Sequence, residues 1–263
     1  MANYQTSACT TRVMTRVVFL HIPKTAGQSV HQFLLDSLGP ENMCPARVQE
    51  QIKQLSNEQL RSYSVYSGHF DWDFFDFLNA EDVLFFTVLR QPLDRILSFY
   101  FFLRHQAKSL SAEQLRAPNH IGMRAALTLS PDEYFADPDL NIRSFIDDHY
   151  DNFYTYYFAG RNYQAHSRFR VKQVPKEQVF EQAKSNIKKI NAVYTLNNWE
   201  KLQHDMPLST VTISNNKYFT NKGDGLSVSE RMEALHKVGT ADLAIKKITD
   251  FCELDNLIYE QLK

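Results

Sequence analysis

Val17-Val18-Phe19-Leu20-His21-Ile22-Pro23-Lys24-Thr25-Ala26-Gly27-Gln28-Ser29 decides the fold. Its first six residues are β-branched, aromatic or apolar apart from His21, are too few for a helix, and stop at Pro23, so they read as a short buried strand. From Gly27 or Ser29 onward, Val30, Phe33, Leu34 and Leu38 recur at helical spacing until Gly39-Pro40 ends them. Strand, small-residue loop and helix then follow one another directly. In that setting backbone N–H groups can approach an anion, the helix N-terminus adds positive potential, and Lys24 adds a mobile charge. The stretch therefore predicts a phosphate cradle. The plainer alternative is an ordinary strand-to-helix turn with a surface lysine.

Working outward, Tyr63 to Ser67 reads as a second strand ending at Gly68-His69, after a short polar helix opened by a Ser56/Gln59 capping box. Val83 to Leu89 is the clearest buried strand, and Pro92 opens a helix with Ile96, Phe99, Tyr100 and Leu103 on its apolar face. Phe74, Phe75, Phe77, Phe99, Phe101 and Phe102 are expected in the core. Ser130-Pro131-Asp132-Glu133 is a further helix start, Ile142 to Phe158 reads as one aromatic helix, and Pro175 begins a helix through Ile190. A short strand, Ala192 to Leu196, follows. The remainder reads as mostly helical, with a loop at 215–225 and a final helix from about Ala241. Strands alternating with helices predict an α/β fold: a P-loop-like, mostly parallel sheet flanked by helices, with a helical C-terminal part and ligands at the strand carboxyl ends. No linker or repeat interrupts it, so 1–263 is expected to be a single domain, with 1–15 as a flexible N-terminus.

Hydrophobic residues make up 43%, including 19 Phe and 13 Tyr, enough for a sizeable core without covalent staples. The formal charge is −1, so no global field draws the chain to nucleic acid, and any anion must be held locally. Cys9, Cys44 and Cys252 are scattered and odd in number, which suits a reducing compartment better than a disulfide framework. The polar, Thr-rich start lacks a signal-like apolar run, and no segment approaches the roughly 20 apolar residues of a membrane helix. A cytoplasmic protein with no membrane span is the expectation. Oligomeric state is not encoded legibly.

A second constellation, Arg90-Gln91-Pro92-Leu93-Asp94-Arg95-Ile96-Leu97-Ser98, again joins a strand end to a helix start. Arg90 can hold a phosphate in a bidentate fork and Ser98, two turns on, can add a hydrogen bond. Asp94 and Arg95 are expected to form a helix-end ion pair with each other. A P-loop kinase would instead need Gly-Lys-Ser/Thr with the hydroxyl on Mg²⁺; here Lys24 precedes Gly27, though Thr25 does follow Lys24. Past the second strand, Phe70, Asp71 and Trp72 could hold a sugar ring. Lys217 to Lys222 either closes over a nucleotide or is a plain solvated loop.

His21-Ile22-Pro23-Lys24-Thr25-Ala26-Gly27, Ser67-Gly68-His69-Phe70 and Val88 through Tyr100 together resemble the carbohydrate sulfotransferases of the Golgi type, the heparan and uronyl sulfotransferase family (sulfotransferase family 2), with weaker echoes at Asp151 to Gly160 and Ala183 to Thr195. The resemblance implies a sulfotransferase using 3′-phosphoadenosine 5′-phosphosulfate (PAPS) as co-substrate. It maps the 5′-phosphosulfate onto Lys24, Thr25, Ala26, Gly27, Gln28 and Ser29, and the 3′-phosphate onto Arg90 and Ser98. It also places a catalytic histidine at His69, with Lys24 neutralising the leaving oxygen, and an imidazole titrating near neutrality suits removal of a hydroxyl proton. His21 is assigned a packing or hydrogen-bonding role. No metal is implied. The implied partner is a carbohydrate or other hydroxylated acceptor, whose specificity is expected in loops such as Arg104 to Arg124; the non-catalytic alternative is a nucleotide- or glycan-binding protein on the same scaffold.

Overall fold

A computed structural model of the protein describes residues 16–72, 83–136, 138–160, 174–206 and 226–262. The sequence expectations for 1–15, for Phe74, Phe75 and Phe77, and for the 215–225 loop with Lys217 to Lys222 fall outside the described residues. Strands β1 (Arg16–Leu20), β2 (Val65–Gly68), β3 (Val83–Leu89) and β4 (Ala192–Thr195) pair in parallel in the order β2-β1-β3-β4. The described helices are α1 (Gly27–Leu38), α2 (Gln49–Ile52), α3 (Asn57–Ser62), α4 (Pro92–Lys108), α5 (Ala112–Arg116), α6 (Ile121–Thr128), α7 (Pro131–Phe135), α8 (Leu140–His149) and α9 (Phe153–Phe158). They continue as α10 (Lys176–Ile187), α11 (Trp199–Asp205), α12 (Val228–Val238), α13 (Asp242–Asp250) and α14 (Glu253–Glu260). The α/β expectation holds.

A parallel sheet must be covered on both faces, and the strand sequences alternate between two cores accordingly. Val17, Phe19, Leu84, Phe86 and Val88 pack with Val30, Phe33 and Leu34 of α1 and with Trp199 and Leu202 of α11. On the opposite face Val18, Leu20 and Leu89 meet Phe153, Tyr154 and Tyr157 of α9, Ala183 of α10 and Ile258 of α14. Each side chain of this size, fully buried, contributes about 1.5–3 kcal/mol. A third cluster joins α4, α6, α7, α8, α12 and α13, through residues such as Tyr100, Ala126, Tyr134, Ile146, Leu235 and Ile248. Buried Ile96, Tyr100, Leu103 and Ala107 form the inner stripe of α4. Phe99 and Phe101 are only half-buried and Phe102 is 38% exposed, so the three phenylalanines flank that stripe rather than form it.

The strand order places the topological switch between β1 and β3, whose carboxyl ends leave for opposite halves of the sheet. Thr87 of β3 is buried and donates its hydroxyl to the Leu20 carbonyl at 2.7 Å, tying the two ends together. Both anion-binding motifs read from the sequence therefore emerge side by side.

Two helical segments of the sequence reading are interrupted. The expected helix from Ile142 to Phe158 is broken at Asn152, which has φ 41°. The final helical segment is likewise split between α13 and α14. One exchange accounts for both breaks. The Asn152 side-chain oxygen accepts from the Leu254 amide at 2.7 Å, while Asp255 of α14 accepts from the Tyr154 and Thr155 amides of α9 at 3.0 and 2.8 Å. Each helix thus supplies the other's N-terminal partner, and this tertiary contact outweighs helical periodicity. Arg104 to Arg124, read as a loop, is largely helical, with a Ser111/Gln114 capping box opening α5.

Burial pushes the Asp255 carboxyl up to about 6, against the pull of the amides it accepts from and of the Arg95 charge. Because the folded value lies above the unfolded one, near 3.8, the folded protein holds the proton more tightly and stability falls as pH rises through that interval. Urea unfolding at a series of pH values should show the advantage of wild type over Asp255→Asn shrinking by about 2 kcal/mol between pH 4 and pH 7. A pH-independent difference would contradict the burial account.

Candidate active site

Just past β1 the chain enters a loop with two left-handed non-glycine residues, Lys24 at φ 71° and Ala26 at φ 63°. Such residues cost on the order of 1–3 kcal/mol each and persist where surrounding contacts hold them. Here Thr25 is fully buried and donates its hydroxyl to the Ile22 carbonyl at 2.8 Å, closing the loop from inside. The turn delivers the first amides of α1, those of Gly27, Gln28 and Ser29, to the carboxyl edge of the sheet. No side chain caps this 12-residue helix and no acid stands in its first turn, so its N-terminal potential is left for an anion. Gln28 is exposed and Ser29 buried. Thr25 is committed to the loop rather than available to a metal ion.

Gly27 has a specific steric reason. A β-carbon there would coincide with the imidazole of His21. Gly27→Ala is therefore expected to cost about 1–3 kcal/mol through overpacking. The measurement is thermal unfolding together with calorimetric affinity for adenosine 3′,5′-bisphosphate, and both should weaken; unchanged values would mean the ring has room to move.

His69 follows β2 and is held on both sides. Its amide donates to the Arg47 carbonyl at 2.8 Å, where residues 43–48 run parallel alongside β2, and its Nδ1 lies 2.7 Å from the His21 carbonyl. A β-carbon on Gly68 would strike the Arg47 carbonyl, which explains the glycine before the histidine. Since a carbonyl only accepts, Nδ1 of the neutral ring carries the proton, and the lone pair is on Nε2. Burial lowers the pKa of His69, the bond to His21 opposes that, and the Arg47 charge adds to the lowering. His21 is driven well below its ordinary value, first by burial and then by His69, Arg47 and Lys24. Both rings are neutral at physiological pH.

Arg90 leaves β3 with its main chain clamped by Tyr154, whose hydroxyl donates to the Arg90 carbonyl at 2.8 Å and accepts from its amide at 3.2 Å. Its Nε pairs with Asp94 at 2.5 Å, and the other Asp94 oxygen pairs with Nη1 of Arg231 from α12, also at 2.5 Å. Asp94 and Arg95 are thus not partners of each other, contrary to the sequence expectation. Arg95 points inward, 1% exposed, donating to the His149 carbonyl at 2.8 Å and lying over the Phe153 ring at 4.6 Å.

Asp94, Ser98 and Phe102 follow one another at four-residue spacing along a single face of α4. Arg90 is anchored at the Asp94 end of this row, and the Lys24 ammonium sits 4.0 Å over the Phe102 ring at the other end. The two anchors are about 12 Å apart along the helix, with the half-buried Ser98 between them. Lys24, Arg90 and Ser98 are thereby brought to one strip, beside the amides of α1.

Asp71 is buried and its amide is bound to the Gln49 side chain, while Trp72 packs edge-on against Tyr157 and Phe158. That pair lies at the boundary of the core. The sequence reading missed Arg47, Arg231, Tyr154 and Phe102. No motif spacing marks the first three, because each comes from an element distant in sequence; Phe102 is detectable only as the position four residues after Ser98.

Among the described residues, no helix is long and apolar enough to cross a membrane. No curated protein matches the chain. A model of the Sulfotransferase family matches residues 10–260, nearly the whole length. With the parallel sheet, the uncapped α1 terminus and the arginine at the end of β3 in place, the chain belongs to the sulfotransferase family, the transferases that move sulfuryl groups.

Proposed function

We propose that the protein transfers the sulfuryl group of PAPS to a hydroxyl of a carbohydrate acceptor, by in-line displacement with His69 as general base. The Gly27, Gln28 and Ser29 amides hold the 5′-phosphosulfate together with Lys24, Thr25 and Ala26 of the loop, and Arg90 and Ser98 hold the 3′-phosphate. Lys24 has to leave Phe102 to reach the bridging oxygen, and a half-exposed cation–π contact of about 0.5–1 kcal/mol is a small obstacle. The acceptor oxygen forms its bond to sulfur as the bond from sulfur to the 5′-phosphate oxygen breaks, and the hydroxyl proton passes to Nε2 of His69. The products are a sulfate ester and adenosine 3′,5′-bisphosphate.

The observation that carries this reading is the row Asp94-Ser98-Phe102, with Arg90 paired at one end and Lys24 over the ring at the other. A kinase would want the Thr25 hydroxyl on a metal ion, but that hydroxyl is buried on the Ile22 carbonyl. The carbohydrate acceptor rests on the likeness of the three motifs to carbohydrate sulfotransferases. The described cysteines, Cys44 and Cys252, are buried thiols, which supports the reducing setting of the cytoplasm.

Calorimetric titration is the test. Adenosine 3′,5′-bisphosphate should bind without Mg²⁺ and more tightly than ATP–Mg²⁺, and sulfate transfer from PAPS to a panel of oligosaccharides should be detectable. Tighter binding of ATP–Mg²⁺ would sink the donor assignment; transfer only to small non-carbohydrate alcohols would sink the acceptor class.

A further inference from the structure

His69 is the outer member of a column of aromatic rings. Its imidazole stacks on His21 at 4.1 Å and 25°, His21 on Phe19 at 5.5 Å and 18°, and Phe19 on Phe86 at 5.0 Å and 19°. The column runs from the end of β2 through β1 into β3, so its inner rings are as fixed as the sheet core. The edge of His21 lies where Gly27 lacks a β-carbon, so the same ring that supports His69 abuts the first residue of α1. With its side facing the Gly27 backbone and its face against His69, the His21 ring is turned away from the role of base.

We infer that His21 is a positioning residue for the proton transfer: its carbonyl selects the tautomer of His69, and its ring, wedged between Phe19 and Gly27, fixes the plane in which Nε2 is presented. This rests on the reading of His69 as the base. A charged ring beneath His69 would repel the imidazolium that forms when the hydroxyl proton arrives. Among the described residues, the charged groups that act on the pair include Arg47, which acts on both histidines, and Lys24, which acts on His21.

The experiment compares His21→Asn, His21→Phe and His69→Ala by kcat with saturating PAPS, by its pH profile, and by calorimetric affinity for adenosine 3′,5′-bisphosphate. His21→Asn keeps the carbonyl and a neutral polar side chain but has no ring face. Its kcat should fall about 10–100-fold while bisphosphate affinity changes less than about threefold, on the scale expected for misplacing a group by an ångström. Water admitted beside His69 relieves its burial, so the acid limb of kcat should move to higher pH, with Arg47 still present in both proteins. His21→Phe restores a ring face and should recover most of kcat and the original limb. Should His21→Asn fail to fold, His21→Ala carries the same readings. Wild-type kcat and limb in a folded ring-less variant, or a loss of kcat matched by an equal loss of bisphosphate affinity, overturns the inference. A near-normal rate in His69→Ala removes the base itself, whereas a slow His69→Ala beside an unaffected His21→Asn removes the positioning role alone.

Discussion

His69→Ala is expected to lower kcat by about a hundred- to ten-thousand-fold, the range that general-base action supplies, while leaving affinity for adenosine 3′,5′-bisphosphate within about threefold of wild type. The separation follows from where the two functions are anchored. The nucleotide is proposed to rest on α1, Lys24 and α4, whereas His69 is held by hydrogen bonds to the main-chain carbonyls of Arg47 and His21. In the wild-type enzyme the lowered pKa of His69 keeps Nε2 unprotonated as the pH falls to its ordinary value of 6.5. Turnover should therefore hold through that region and decline only below it, and the decline should be absent from the residual activity of the alanine variant. A rate near that of wild type, or a fall in kcat with an equal fall in bisphosphate affinity, would remove His69 from the role of base.

The fold was legible in the sequence where one element carries its own signal. Val83 to Leu89 matches β3 residue for residue, and the Ser56/Gln59 and Ser130/Glu133 capping boxes open the helices they predict. These are local, reciprocal hydrogen bonds that need nothing from the rest of the chain. The break at Asn152 was not legible, because it depends on a carboxylate a hundred positions away. The candidate site divides in the same way. Lys24, the α1 amides and Arg90 were readable because each stands at a strand end before a helix, but the pairing of Asp94 was assigned to its sequence neighbour Arg95. The neighbour's side chain projects from α4 about 100° away from that of Asp94, into the core, and the cation that Asp94 meets comes from α12. Spacing predicts which residues share a helix face; it carries no information about which distant element covers that face.

The shared carboxylate makes a graded experiment out of Arg90 and Arg231. Charge-assisted hydrogen bonds contribute about 1.5–3 kcal/mol, so Arg90→Met should weaken adenosine 3′,5′-bisphosphate by about 10–150-fold. Adenosine 5′-monophosphate, which lacks the 3′-phosphate, should be nearly unaffected. Arg231→Met acts one step back. Among the described residues it leaves Asp94 with Arg90 as its ion-pair partner, so the carboxylate draws on the same guanidinium that the phosphate requires, and competition between two anions for one cation lowers affinity for the outer one. The expected loss is about 3–10-fold, again confined to the bisphosphate. Because the Arg231 side chain is 2% exposed, its removal will also lower the unfolding midpoint, but general destabilisation cannot change the ratio of the two nucleotide affinities in a protein that remains folded at the assay temperature. That ratio is the decisive reading. If Arg90→Met weakens both nucleotides equally, Arg90 does not face a 3′-phosphate; if Arg231→Met leaves the ratio unchanged while Arg90→Met alters it, the Asp94 bridge is structural and the arginine is held for binding by its Tyr154 clamp alone.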